Sequence, residues 1–438
     1  MKWLKRKNGI HSNKAWLLHV SVNVKKSFLL KGHKMDIYVA RQPIFDIKKC
    51  IFGYELLFRA DMANFFPDIE GDSATSKLLS NSFFNIGIEK IAGSNLAFIN
   101  FTQELLLKQL PLMFSQDRLV VEILEDVQPE RDVIEACQEI ALNGYIIVLD
   151  DFFYKPSLEP LIEVADIIKI DVKATPLEEV GDLVKKMTER GVDLLAEKVE
   201  THDEFNRALE MGFRYFQGFF FSKPEVLKGK EISTPQMQLL EIMAEVNKEN
   251  FEFNRLEKMI VRDASISYKL MRLINSAYFK RAKEISSIRQ AIVMIGEVGI
   301  RRFLSLISMA GLAGNKPDEL IKVSLVRAKF CELLGDHPGS SVETSELFTL
   351  GLFSLIDAIM DDSMENLMSQ IPLSSNIKEV LISGNGDLSG YLSLVESYER
   401  GDWEEIDEAT NIMGIDHDDL PHQYMESLSW ADSLSVLQ

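Results

Sequence analysis

Cysteine is scarce in this chain. There are three in 438 residues, Cys50, Cys137 and Cys331, with no Cys-x-x-Cys pair. That scatter argues against a disulfide framework and a cysteine zinc site, and it fits a reducing cytoplasm. Each cysteine reads as a small buried residue. Long apolar runs are missing too. The stretch Ala15–Val20 is broken by His19 and followed by no small-residue cleavage site. It is too short to span a bilayer, and no other stretch is better. Basic charge is scarce outside one segment. The net charge is −19, yet residues 1–34 hold nine Lys/Arg and no acid, so the remaining 404 residues carry −28. An acidic body of that kind argues against nucleic acid as a partner. The basic leader is expected to be a disordered arm or an upstream extension, with Met35 the natural first residue.

What the chain does have is 46% hydrophobic residues, and a length that calls for two or three domains. Residues 36–228 alternate strand-like and helix-like runs. Seven short apolar runs there each end on an acid or a carboxamide: Glu55, Asn100, Glu122, Asp150-Asp151, Asp171, Glu197 and Gln217. Successive steps between them are 45, 22, 28, 21, 26 and 20 residues, about one strand plus one helix. The expectation is an α/β barrel of parallel strands over 36–228. After a linker near 225–233, Thr234-Pro235 starts an all-α domain expected to run to about 430.

In such a barrel, side chains at the C-terminal strand ends converge on one face. A ring of carboxylate and carboxamide oxygens there suits hard divalent cations, Mg²⁺ or Mn²⁺, and a two-metal site suits phosphodiester cleavage. Lys169 shares the inward strand face of Asp171 and can orient a water. Arg59, four residues after Glu55, suits a phosphate oxygen. An acid at a strand end is often only a helix cap or a solvated loop residue, so the weight lies in the whole set.

The motifs Tyr54-Glu55-Leu56-Leu57-Phe58-Arg59, Val121-Glu122-Ile123-Leu124-Glu125, Leu149-Asp150-Asp151-Phe152, Ile168-Lys169-Ile170-Asp171, Ala196-Glu197-Lys198-Val199-Glu200-Thr201 and Gln217-Gly218-Phe219 follow one another in order, with Ile99-Asn100-Phe101-Thr102 between the first two. Residues 37–228 resemble the EAL family of bacterial cyclic-di-GMP phosphodiesterases, which implies a (β/α)8-type barrel. The resemblance implies that Glu55, Asn100, Glu122, Asp150 and Asp151 bind metal. It implies too that Lys169, Asp171, Glu197 and Gln217 complete the catalytic centre and that Arg59 contacts the nucleotide. Three departures stand out. Glu-Leu-Leu replaces Glu-Ala-Leu. Lys198 replaces a glycine and is expected to point outward, beside inward-facing Glu197. After Asp150-Asp151-Phe152 the active family continues Gly-Thr-Gly-Tyr-Ser-Ser, whereas this chain has Phe153-Tyr154-Lys155-Pro156-Ser157-Leu158, without the freedom of the glycines.

Residues 234–430 resemble the HDOD domain, a helical relative of the HD phosphohydrolases, on Val261–Leu270, Leu273–Phe279 and Ile288–Gly296. Ser354 and Leu355 stand where the His-Asp metal pair would be, and His417-Asp418 lies in an acidic loop. That domain is therefore expected to bind signalling proteins rather than catalyse. Asn275-Ser276 reads as a capping or bend feature, and Arg301-Arg302 as a possible partner contact. The joint expectation is a cytoplasmic bacterial signalling protein, a homodimer being possible, whose barrel binds cyclic di-GMP with little hydrolysis. The alternatives are an active Mg²⁺- or Mn²⁺-dependent phosphodiesterase giving the linear dinucleotide, and a scaffold indifferent to nucleotide.

Overall fold

The computed structural model describes residues 37–60, 88–223, 252–274, 287–313, 316–337, 342–371 and 373–434, with isolated positions at 29–30, 33–34, 239, 242, 245–246, 285 and 340. Thr234-Pro235, the linker 225–233 and Asn275-Ser276 lie outside the described residues, as does most of the basic leader. Within the leader, Leu29–Leu30 pairs antiparallel with His33–Lys34.

The chain divides into two compact units. The first is a closed eight-stranded barrel of β1 (Ile37–Asp46), β2 (Ile51–Ala60), β3 (Leu96–Phe101), β4 (Leu119–Ile123), β5 (Ile146–Leu149), β6 (Ile167–Asp171), β7 (Asp193–Glu197) and β8 (Tyr215–Gln217). Strands β2 to β8 run parallel, as their apolar runs predict. Strand β1 does not. It forms a hairpin with β2 and closes the barrel antiparallel to β8. The hairpin turn is held by Asp46, whose Oδ1 accepts the backbone N–H groups of Lys48 at 2.8 Å and Cys50 at 2.9 Å. Cys50 is exposed there, unlike buried Cys137 and Cys331, so only two of the three cysteines are core residues.

Strand side chains alternate with period two, and this alternation builds the site. Ile44, Phe98, Val120, Ile146, Val148, Ile167 and Leu195 form an apolar cluster inside the barrel. Two residues further along the same strands stand Asn100, Glu122, Asp150, Lys169 and Glu197, a polar layer resting on the apolar one. Glu55 differs from expectation. It sits in the middle of β2, which continues to Ala60, and its register partners are Gln42 on β1 and Phe98 on β3. The hairpin thus adds a strand that the seven apolar runs do not contain.

The second unit is helical throughout its described residues. Its helices include α1 (Phe253–Arg262), α2 (Ala264–Ile274), α3 (Ile288–Ala313), α4 (Asp318–Leu334), α5 (Thr344–Phe353), α6 (Ile356–Met360) and, after three intervening helices, α7 (Trp403–Met413) and α8 (Leu420–Leu434). Helices α1 to α3 share a core of Leu256, Ile260, Ile266, Leu270, Ile292, Ile300 and Leu304. The largely buried α4 packs on α5 and α8. Among the described residues no helix is long and apolar enough to cross a membrane.

Gly218 links β8 to the rim in a left-handed conformation, φ 140°, and a Cβ there would lie 2.2 Å from the Val199 carbonyl oxygen and 2.4 Å from its nitrogen. Backbone atoms cannot yield as a flexible side chain can. Gly218→Ala is expected to cost about 3 kcal/mol or more of stability, read as a drop in the urea midpoint. A midpoint equal to the wild type would show that this approach is not rigid.

Candidate active site at the strand ends

Lys169 stands at the centre of the rim. Its side chain is fully buried, and its Nζ lies 2.7 Å from Glu197 Oε1, 2.8 Å from Asp150 Oδ1, 3.0 Å from Glu122 Oε1 and 3.2 Å from Glu55 Oε2. Four strands therefore aim a carboxylate at one ammonium. Glu55 also accepts from Asn100 Nδ2 at 3.1 Å and from Gln217 Nε2 at 2.7 Å. Gln42 joins the cluster, accepting from Gln217 Nε2 at 3.0 Å. Sequence reasoning missed Gln42, which lies on the strand it did not count; its signal was the period-two offset from Ile44.

Asp151 follows Asp150 in a left-handed conformation, φ 39°, which turns the chain sharply at the end of β5. Asp171 ends β6. Its Oδ1 accepts the backbone N–H groups of Lys173 at 2.7 Å and Ala174 at 3.1 Å, while its Oδ2 receives Lys198 Nζ at 2.5 Å. Lys198 thus turns back to the site instead of pointing away from it. Its own φ of 55° departs from the strand and cancels the alternation expected after Glu197. The side chain of Arg59 lies outside the described residues. The structure brings Glu55, Asn100, Glu122, Asp150, Lys169, Glu197 and Gln217 into direct contact around Lys169, with Asp171 and Lys198 paired beside them.

One ammonium does not balance four acids. Burial pushes Glu122 well above the usual carboxylate range against the pull of Lys169, and it raises Asp150 as well. Burial, reinforced by Asp150 and Glu55, pushes Glu197 up to about 8 despite Lys169. Glu55 goes the other way. Burial would raise it, but the Lys169 charge and the hydrogen bonds from Gln217, Lys169 and Asn100 hold it below its ordinary value. For Lys169, burial alone would depress the ammonium, and the surrounding acids raise it well above its ordinary range. Asp151 is raised, chiefly by burial, and Lys198 offsets part of this. Asp171 is lowered because Lys198 and two backbone N–H groups outweigh its burial.

The donor set fits a hard cation in chemistry. Among the described residues, buried Asn100 Oδ1, both carboxylate oxygens of Glu122, Asp150 Oδ1 and Gln217 Oε1 receive no hydrogen bond, although two of them lie at ion-pair distance from Lys169. Buried oxygens without donors are costly and are what an oxygen-seeking ion satisfies. No group of three or more His, Cys, Asp or Glu side chains among the described residues forms a ready-made cage, because the acids converge on Lys169. An ion held there would share these acids with that ammonium.

The divergent loop follows directly on these acids. Phe152 N–H bonds the Lys169 carbonyl at 3.1 Å, and Phe152 is buried. Phe153 and Tyr154 are exposed, Pro156 opens a single 3₁₀ turn, and the Tyr154 hydroxyl donates to Glu159 Oε1 at 2.7 Å. Lys186 lies 3.8 Å over the Tyr154 ring and also binds Glu159. The missing glycines are thus replaced by a loop pinned at its base.

Among its described residues the helical unit holds no comparable centre. Ser354 accepts from Arg327 at 3.2 Å and donates to the Gly351 carbonyl, so its hydroxyl is committed. His417 is half-buried, 2.7 Å from Asp407, rather than solvated. Arg301 binds the Val246 carbonyl and Glu297, while Arg302 pairs with Glu332 and lies over Phe348, so both are used within the unit.

An acid-lined rim on a barrel closed by one antiparallel strand, followed by helices without a His-Asp metal pair, defines a two-module protein of the EAL and HDOD type. The EAL domain family matches residues 60–224, starting beyond Glu55, and the HDOD domain family matches 232–378. The chain is 37% identical over 403 residues to the cyclic di-GMP phosphodiesterase CdgJ of Vibrio cholerae, covering 91% of this chain and 93% of that protein. It is 36% identical over 408 residues to YuxH of Bacillus subtilis, covering 91% and 99%. A solved structure of Bacillus subtilis YkuI, an EAL-domain protein in complex with c-di-GMP and calcium, aligns with a TM-score of 0.36 at 18% identity, over 52% of this chain and 71% of that one. This chain belongs to the EAL–HDOD family.

The raised acids give the metal-free protein a signed pH dependence. Glu197 has a folded-state value of about 8 against an ordinary 4.5, so the folded state binds more protons between those limits. Its contribution is fully present below pH 4.5 and is lost as pH rises through 8. In chelator-treated protein, stability is expected to fall with pH across that window, by up to about 1.4 kcal/mol per unit from this group. Glu197→Gln should flatten the slope in urea titrations from pH 5 to 8. Equal slopes in the two proteins would mean that Glu197 ionises normally.

Proposed function

We propose that this protein is a cyclic-di-GMP phosphodiesterase whose barrel hydrolyses the dinucleotide to its linear form with Mg²⁺ or Mn²⁺, and whose HDOD domain carries the barrel's state to a signalling protein. The observation that carries this reading is the convergence of Glu55, Glu122, Asp150 and Glu197 on buried Lys169 in a chain that has the altered loop. The 37% identity to a relative named as a cyclic di-GMP phosphodiesterase supports the same substrate. EAL-domain phosphodiesterases use divalent metals. Here Glu55, Asn100, Glu122, Asp150 and Asp151 would hold them.

Bound ions would supply a Lewis acid for the phosphate and lower the proton affinity of the attacking water. The chain's own groups do the rest. Glu55 is kept ionised by Lys169, Gln217 and Asn100, so it stays a ligand at neutral pH. Glu197, poised to about 8, can take or give a proton near the working pH. Lys169 keeps its proton and neutralises charge deep in the rim. Gln217 links Glu55 to Gln42 and fixes both in place.

A second reading has its own observation. Phe153–Leu158 replace the glycine loop of the active family, and a barrel can keep its ligand set while losing turnover. That protein would be a receptor. The two readings separate in one experiment with purified protein, cyclic di-GMP and Mn²⁺, following binding by calorimetry and product by chromatography. The phosphodiesterase gives linear dinucleotide over many turnovers, and Glu55→Ala lowers kcat by roughly a thousandfold. Binding without product makes it a receptor, and neither outcome leaves a role confined to the helical domain.

A further inference from the structure

Lys198 occupies a backbone conformation that disfavours any side chain, with φ 55°, at a position directly after Glu197. Its Nζ is 2.5 Å from Asp171 Oδ2. The other oxygen of Asp171 is committed to the N–H groups of Lys173 and Ala174, so the oxygen that faces the rim is the one Lys198 holds. The acids at the strand ends are thus divided between two ammonium groups. Lys169 is fully buried and takes Glu55, Glu122, Asp150 and Glu197, whereas Lys198 takes Asp171 and is 60% exposed. The two differ in what they can do. Lys169 has no room to leave. Lys198 can swing into solvent on its flexible stem, and an ion pair with one partner this exposed can be broken by a competing cation more readily than the buried Lys169 contacts.

We propose that Lys198 is a built-in competitor for the second of two divalent cations, holding the Asp171 edge of the rim until that ion is abundant. This rests on the metal-dependent reading above. A dication approaching Asp151 and Asp171 meets a positive charge already seated there and must displace it. The first ion would be held on the Glu55–Glu122–Asp150 side, where the ammonium present, Lys169, is fixed and is the same in every Lys198 variant. The two ions therefore load in sequence, and Lys198 sets the concentration at which the second arrives. Readiness for hydrolysis then follows divalent cation supply even when the first site is full.

The test is a Mn²⁺ titration of chelator-treated full-length protein by calorimetry, with electron paramagnetic resonance counting the bound ions. It compares the wild type with Lys198→Gly, Lys198→Met and Lys198→Arg. Glycine removes the charge and the strained Cβ together, and methionine removes the charge alone, so a change common to both reports on charge. The expected result is a second binding event at least tenfold tighter in Lys198→Gly and Lys198→Met than in wild type, an unchanged first event, and wild-type behaviour in Lys198→Arg. A second event that is unchanged, or absent, in both neutral variants overturns the competition while leaving the metal site standing. Failure of every variant, wild type included, to take up Mn²⁺ overturns the metal-dependent reading itself and this proposal with it. Thermal melts on the same samples establish that each variant is folded.

Discussion

The rim of this barrel depends on a buried ammonium. Lys169 has no exposed surface, and four carboxylates from four strands lie within 3.2 Å of it. Taking one such charge out of water costs several kcal/mol, which only close opposite charge can offset. The acids in turn cannot all be ionised around a single cation, so some are pushed toward their protonated forms while Glu55 stays ionised. The arrangement is thus short of positive charge by construction. A divalent ion would relieve that shortage, and Glu122 Oε2 and Asn100 Oδ1, buried without a hydrogen-bond donor, mark where the deficit is felt.

Period-two alternation explains why these residues meet at one level. Ile167, Lys169 and Asp171 share a strand face, as do Leu195 and Glu197, and Val148 stands two residues before Asp150. The apolar members plug the barrel, and the polar members rest on that plug with few rotamers open to them. Small residues are needed where backbones close on one another. Gly218 allows the chain after Gln217 to hydrogen-bond Val199, which fixes the strand that carries Gln217.

Much of this was legible in the sequence, since spacing and terminal acids are properties of the strands themselves. The barrel, the helical domain after it and the residues that surround Lys169 follow from apolar runs of strand length ending on oxygen-bearing side chains. Three features were not legible, for physical reasons. Strand β1 does end on an acid, Asp46, but that carboxylate holds the hairpin turn and not the rim, and the strand's direction depends on that turn. Glu55 lies in mid-strand because the hairpin extends β2 beyond the rim of its parallel neighbour. Lys198 was assigned by strand alternation to the outer face, but the strand ends at Glu197 and the next residue is left-handed, so alternation no longer applies. Local periodicity holds only as long as the element does.

The helical unit argues for a division of labour from the same kind of bookkeeping. A hydrolase of the HD type needs an imidazole and a carboxylate side by side to bind metal. Ser354 offers a hydroxyl already saturated by Arg327 and Gly351, and Arg327 is buried and also bound to Glu396 at 2.8 Å. A guanidinium beside that position repels a metal cation, so the substitution replaces the site and does not merely weaken it. Helix α4, which carries Arg327, is largely buried, and its aromatic neighbours Phe330, Tyr398 and Tyr424 pack edge-on or tilted at 4.8–5.6 Å. Among the described residues, the buried acids that converge on one ammonium lie in the barrel, whereas the helical unit at Ser354 presents a committed hydroxyl and a guanidinium inside a packed scaffold.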